Sequence, residues 1–243
     1  MSRLKWDEDG KKFFETGVEK GVLYTQASDG TYNTGVAWNG LTAVNESPSG
    51  GEATTLYAND DKYLDLISTE TYGATIEAYT CPDEFMECDG SKELEAGLGL
   101  YAGQQTRKGF GFTFTNIVGN DTDGTDHGYI ITIVYGCKAQ PSSRSHSTIN
   151  ESPEAQTLSW EVKATPIEIP STIGSGKFKK TATLKIDSRK FTTETQKGYL
   201  AALEGILYGT DGSTDPLVQP TVPRLPMPAE VYSILKTGTY SAG

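Results

Sequence analysis

The chain has 243 residues and a formal net charge of −11, with 32 Asp and Glu against 21 Lys and Arg. Because such an acidic surface repels phosphate backbones, the composition argues against sequence-specific nucleic-acid binding. Neither a signal peptide nor the roughly 20 apolar residues of a membrane-spanning helix can be found. We therefore expect synthesis in a cytoplasm, no membrane association, and free thiols at Cys81, Cys88 and Cys137.

Strands dominate the predicted secondary structure, because apolar residues recur with period two along much of the chain. The run from Phe110 to Thr115 places three phenylalanines on one face. The run from Tyr129 to Tyr135 is apolar on both faces, which predicts a central strand. In chain order, the predicted strands cover 35–44, 72–80, 108–116, 128–136, 157–165 and 181–187.

Helices are predicted at three places. In 60–68 an aspartate N-cap precedes residues that would share one apolar face of a short helix. A leucine-rich stripe over 193–209 predicts a longer helix that ends at Gly209. A last short helix is expected to begin at Pro228, since proline suits the first helical position.

Two segments lack periodicity. The stretch 82–108 shows no apolar face and is long for a connection, so we expect a projecting loop or hairpin that orders against another molecule. The proline-rich stretch 210–228 predicts an extended arm. The expected organisation is a single β domain over 1–209, followed by a proline-rich C-terminal extension over 210–243 with the short terminal helix.

The segment "NDTDGTDHGY" at 120–129 is a candidate for a metal-binding or catalytic site. It holds Asp121, Asp123, Asp126 and His127, but Gly124 comes too early for a calcium loop and no Glu follows. His127 has no nucleophile nearby in sequence. Because Asn, Asp and Gly favour tight turns, the segment predicts a hairpin turn between two strands.

The other motifs that would indicate catalysis or ligand binding are incomplete or absent. The chain contains neither a complete phosphate-binding loop nor a dinucleotide fingerprint, and no hydrolase or zinc motif. We therefore expect no catalytic, cofactor-binding or metal-binding residues. The sequence predicts a structural or binding role and not an enzyme.

Several collinear stretches carry a family resemblance. Together they cover roughly residues 20 to 210, and they resemble the major tail proteins, or tail tube proteins, of long-tailed phages that infect Gram-positive bacteria. The stretches are "GVAWNGLTAVNESPSG", "TLYANDDKYLDLIS", "YGATIEAYTCPDEFMECDGS", "GNDTDGTDHGY", "VYGCKAQPS" and "INESPEAQTLSWEVKATP".

The resemblance implies a tail-tube-like β-sandwich or β-barrel with a flanking α-helix. Six copies would form a ring, and stacked rings would form the conduit for genome ejection in the virion tail. The chain's partners would be further copies of itself and the tape-measure, tail-terminator and distal tail proteins. Double-stranded DNA would be met only in transit. The 82–108 loop would bridge to a neighbouring subunit or to the next ring.

A tube that conducts DNA is expected to have an acidic or neutral bore, since a basic one would hold phosphates. Candidate bore residues are acids on strands whose other face is core. Glu77 has an apolar neighbour on each side, and Glu161 alternates with Trp160 and Val162.

Two other functional classes remain open from the residues alone. A surface β-sandwich that binds carbohydrate or calcium would suit the aromatic content and the Asp-rich loop. An acidic hydrolase would need paired carboxylates such as Asp83 and Glu84, for which no partner constellation is visible.

Overall fold

The computed structural model describes residues 3–149, 155–171, 173–174, 176–212 and 220–238. Over these residues the chain is mainly β, with two α-helices and two short 3-10 turns. The helices are α1 (Glu194–Tyr208) and α2 (Pro228–Thr237), and the turns are Asp83–Phe85 and Ser188–Lys190. The strands are β1 (Phe13–Thr25), β2 (Val36–Ala37), β3 (Leu41–Glu46), β4 (Ala53–Ala58), β5 (Asp61–Ile67), β6 (Tyr72–Ala78), β7 (Lys92–Glu93), β8 (Tyr101–Ala102), β9 (Phe110–Asn120), β10 (Gly124–Ala139), β11 (Leu158–Ala164) and β12 (Thr183–Asp187).

Eight strands form one antiparallel sheet in the order β2-β1-β9-β10-β11-β6-β3, and β12 also pairs with β10. The sheet curls so that β1 and β3, near its two ends, approach each other. The Trp38 amide donates to the Gly21 carbonyl at 2.8 Å, and a Cβ on Gly21 would lie 2.9 Å from Leu41 of β3. Glycine suits this approach of β1 to β3, because a larger residue would displace the Leu41 side chain. The predicted mainly β, barrel-like sandwich is therefore confirmed.

Strand β10 changes partner part-way along its length. It pairs with β12 from Ile130 to Val134 and with β11 from Cys137 to Ala139. A β-bulge separates the two stretches at Gly136, whose φ is +63°. A Cβ at Gly136 would lie 2.6 Å from a neighbouring carbonyl oxygen, so the position requires glycine. The extra residue reverses which side chains face the barrel interior.

The barrel interior holds an aromatic cluster, here called the inner cluster. Its centre is Trp38, whose ring lies 4.6 Å from Phe85, 5.4 Å from Phe112 and 5.5 Å from Trp160, measured between centroids. These rings meet tilted or edge to face, the arrangement that aromatic quadrupoles favour. The predicted inward orientation of Phe112 and Trp160 is confirmed.

Helices α1 and α2 cover the opposite face of β1, β10 and β12 and form the outer cluster with it. The helix predicted over 193–209 is confirmed as α1, and a capping box between Thr193 and Gln196 fixes its start. The helix predicted at Pro228 is confirmed as α2. The Tyr24 hydroxyl ties the sheet to α1 by donating to the Leu207 carbonyl at 2.6 Å.

The predicted helix at 60–68 is wrong, because these residues form strand β5. Asn59 and Asp60 both have positive φ, 52° and 62°, and Ala58 pairs with Asp61 across them. This is the geometry of a two-residue hairpin turn, for which Asn and Asp are suited. The aspartates therefore turn the chain back into a strand and do not cap a helix.

Where the structure describes it, the proline-rich stretch packs against the rest of the same chain. The Arg224 amide donates to the Ile206 carbonyl at 2.9 Å, and the Gly35 amide donates to the Pro223 carbonyl at 2.8 Å. Leu225 is buried in the outer cluster. The central part of the expected arm, 213–219, lies outside the described residues.

Candidate assembly surfaces

Strands β4 and β5 form a hairpin that stands apart from the barrel. It continues the β3–β6 ladder through a bridge between Ser49 and Thr71, yet it pairs only within itself. Every residue of the two strands except Thr55 is exposed, and none belongs to the inner or outer cluster. The hairpin therefore makes no contribution to the core of its own subunit.

The hairpin has one apolar face, here called the leucine face. Leu56 lies directly opposite Leu64, and Leu66 lies two residues further along the same face. Their exposed fractions are 40%, 37% and 54%. Apolar side chains grouped on an exposed face make this surface a candidate for contact with another molecule.

The other face of the hairpin is mixed, because it carries Ile67 and Tyr57 beside an internally satisfied polar group. The Lys62 ammonium lies 2.7 Å from the Asp65 carboxylate, and the Thr55 hydroxyl donates to the same carboxylate at 2.7 Å. The lysine and then the hydroxyl lower the pKa of Asp65. The three leucines thus share one face of the hairpin, a feature that the mistaken helix prediction concealed.

The segment 82–108 is anchored at its start, which corrects the expectation that it lacks apolar anchorage. Phe85 and Cys88 are fully buried in the inner cluster, and burial raises the pKa of Cys88 to about 12. Arg107 lies 3.4 Å from Asp89 and closes the base of the segment. Beyond this base, residues 91–105 project with the short β7–β8 pair. They expose Leu94 and Leu98 at 65% and 58%.

The segment 120–129 is a hairpin turn between β9 and β10, as interpreted from the sequence. The Asn120 side chain accepts from the Asp123 amide at 2.6 Å. Asp121 accepts from the Gly10 amide at 3.1 Å, so it holds the N-terminal segment. Asp123 pairs with His127 at 2.9 Å, and this hydrogen bond, together with one from Asn120, lowers the pKa of Asp123.

A cavity of about 610 Å³ lies between this turn and α1. Some of its polar groups bond to one another. The Tyr129 hydroxyl donates to Glu204 at 2.6 Å, and the Ser188 hydroxyl accepts from the Tyr129 amide at 2.8 Å. In the described part of the chain, no group of three or more His, Cys, Asp or Glu side chains could hold a metal ion. No described helix is long and apolar enough to cross a membrane.

The two candidate bore acids lie on one face of the barrel wall. Glu77 of β6 is opposite Ser159, and Glu161 of β11 is opposite Thr75, so the two acids are diagonal neighbours. Glu161 is exposed, whereas Glu77 is half-buried and accepts from the Asn45 amide group at 3.3 Å. The structure therefore brings the two predicted residues together on one open surface.

This outer wall also carries two lysines that sequence reasoning did not place there. Lys138 of β10 and Lys163 of β11 are exposed and lie directly opposite each other. The bulge at Gly136 turns Lys138 outward, since Cys137 and Ala139 face the inner cluster. The wall therefore has mixed charge, with the acids toward β6 and the lysines toward β10.

Comparisons with models of known protein families and with curated protein sequences found no match to this chain. The function is therefore argued from its own residues and surfaces.

Proposed function

We propose that this protein is a tail tube protein of a long-tailed phage, which self-assembles into stacked hexameric rings that conduct the genome during ejection. The collinear resemblance described above suggests the family. The single observation that carries the proposal is the β4–β5 hairpin. It is a complete secondary-structure unit whose leucine face is left uncovered by the residues that the structure describes.

The physical argument concerns the stability of an isolated hairpin. Two strands alone are at best marginally stable in water, and burial against a third element is what normally secures them. Here the projecting strands expose Tyr57 and Tyr63 at 72% and 69% in addition to the leucines. A surface of this kind suits a subunit that completes its fold against neighbours.

The outer wall suits the bore of such a tube. It is open and contains Glu77 and Glu161, so it would present carboxylates to passing DNA. Lys138 and Lys163 would then lie toward the subunit boundary, where an acid of the next copy could meet them. The proposed ends of the tube would contact tape-measure, terminator and distal tail proteins, and DNA would only pass through.

A hairpin deletion tests the proposal without disturbing the core. The Ser68 amide donates to the Glu52 carbonyl at 3.0 Å, so a Gly-Gly link can replace residues 53–67. We expect tubes of constant width from the unaltered protein in negative-stain electron microscopy. The deleted form should give monomers with an unchanged melting temperature. Monomers from the unaltered protein at all concentrations, with affinity for sugars or calcium, would instead identify a surface binding module.

A further inference from the structure

A shallow apolar groove of about 310 Å³ lies between α2 and β12. Its walls include Ile173, Leu184, Val231 and Leu235, and Phe178 closes one side with 56% of its surface exposed. The volume is at the lower end of the range for ligand pockets. The groove can therefore take a few aliphatic side chains, and its lining offers few polar groups to orient a small ligand.

The connector beside the groove is basic. Lys177, Lys179 and Lys180 flank Phe178, and all three are exposed. None of them makes an ion pair with a described residue. The run 171–180 contains no acid, so its formal charge is +3. In a chain with a net charge of −11, this is a local positive patch next to an apolar surface.

The β4–β5 hairpin complements the groove and its connector both in charge and in apolar surface. Residues 52–70 carry five acids and one lysine, which gives a formal charge of 1 − 5 = −4. Asp60 and Asp61 lie at the tip and form no ion pair with a described residue, while the leucine face supplies aliphatic side chains. Within one copy, the leucine face and the groove both stay exposed, so they do not cover each other.

We infer that the leucine face of one copy docks into the α2–β12 groove of a second copy, with Asp60 and Asp61 beside the connector lysines. This inference rests on the proposed function and names the surfaces that would join its subunits. The contact is between two different surfaces, so each copy gives one hairpin and receives another. Unless two copies exchange hairpins reciprocally, contacts of this type propagate into closed rings or open filaments.

Cross-linking between separately purified variants tests the contact. One variant carries Leu64→Cys and the other carries Phe178→Cys, each in a chain in which the half-buried Cys81 is replaced by Ser, and a short bismaleimide is added after the two are mixed and assembled. We expect covalent dimers in the mixture and in neither variant alone. A chain with both substitutions should give a ladder of multimers. The matched control is Ile67→Cys, on the opposite face of the hairpin, which should give at least about tenfold less dimer with Phe178→Cys.

Charge exchange supplies the second measurement. Lys177→Glu with Lys179→Glu should raise the concentration needed for assembly about tenfold, and Asp60→Lys with Asp61→Lys should do the same. Combining all four substitutions should restore assembly to within about threefold of the unaltered protein.

The two proposals fail in different ways. Tubes from the unaltered protein, without the specific dimers and without charge rescue, would overturn the groove assignment and leave the tube function standing. Monomers at every concentration would overturn both.

Discussion

Leu66→Ser offers a sharp test of the leucine face. Full burial of a leucine is worth about 1.5–3 kcal/mol, and 54% of Leu66 is still exposed in the single subunit. Covering that fraction against a neighbour therefore contributes about 1–1.5 kcal/mol, or roughly a tenfold change in the association constant. Because Leu66 lies outside both core clusters, the melting temperature of the monomer should stay the same.

The assay is sedimentation velocity over a concentration series, with electron microscopy of the fastest species. Ile67→Ser is the matched control, because Ile67 lies on the opposite face of the hairpin and is more exposed, at 73%. If only the amount of apolar surface mattered, Ile67→Ser would have the larger effect. Equal or greater weakening by Ile67→Ser would refute the assignment of the leucine face as the contact.

Three further predictions concern other parts of the molecule. In hydrogen exchange, the amides of 91–105 should gain protection only in tubes. The amides of 83–90 should be protected in monomers too, because the inner cluster buries part of this segment. Equal protection of 91–105 in monomers and tubes would contradict the prediction. Glu77→Lys combined with Glu161→Lys should leave tube formation intact but slow genome ejection at low salt, and unchanged ejection kinetics would exclude these acids from the bore. Gly136→Ala should destabilise the monomer by about 2–4 kcal/mol, seen as a drop of roughly 5–15 °C in the melting temperature, because its φ of +63° and a carbonyl oxygen 2.6 Å from the new Cβ both oppose the substitution.

The parts of the fold that the sequence predicts well are those where one periodicity dominates. Strand β10 is apolar on both faces over Tyr129–Tyr135, and it lies at the centre of the sheet. Helix α1 carries its leucines at helical spacing and has recognisable start and stop residues. In both elements, local preference and long-range packing favour the same structure.

The parts that could not be predicted depend on interrupted patterns. Strand β1 contains two register shifts, with positive φ at Gly17 and Lys20, so its alternation is broken and the strand was missed. The β5 residues fit a helix and a strand almost equally, and only the Asn59–Asp60 turn decides between them. The α2–β12 groove joins residues far apart in sequence, so no local signal could reveal it.

Strand β10 has a consequence for the cooperativity of the whole subunit. Its Ile131 and Ile133 belong to the outer cluster, while its Val134 and Cys137 belong to the inner one. Melting either cluster would displace this shared strand and expose the other, so the two cannot unfold as separate units. The subunit should therefore lose its structure in a single calorimetric transition, with equal van't Hoff and calorimetric enthalpies. A subunit in a tube would therefore have no partly unfolded state that could relieve mechanical strain in steps.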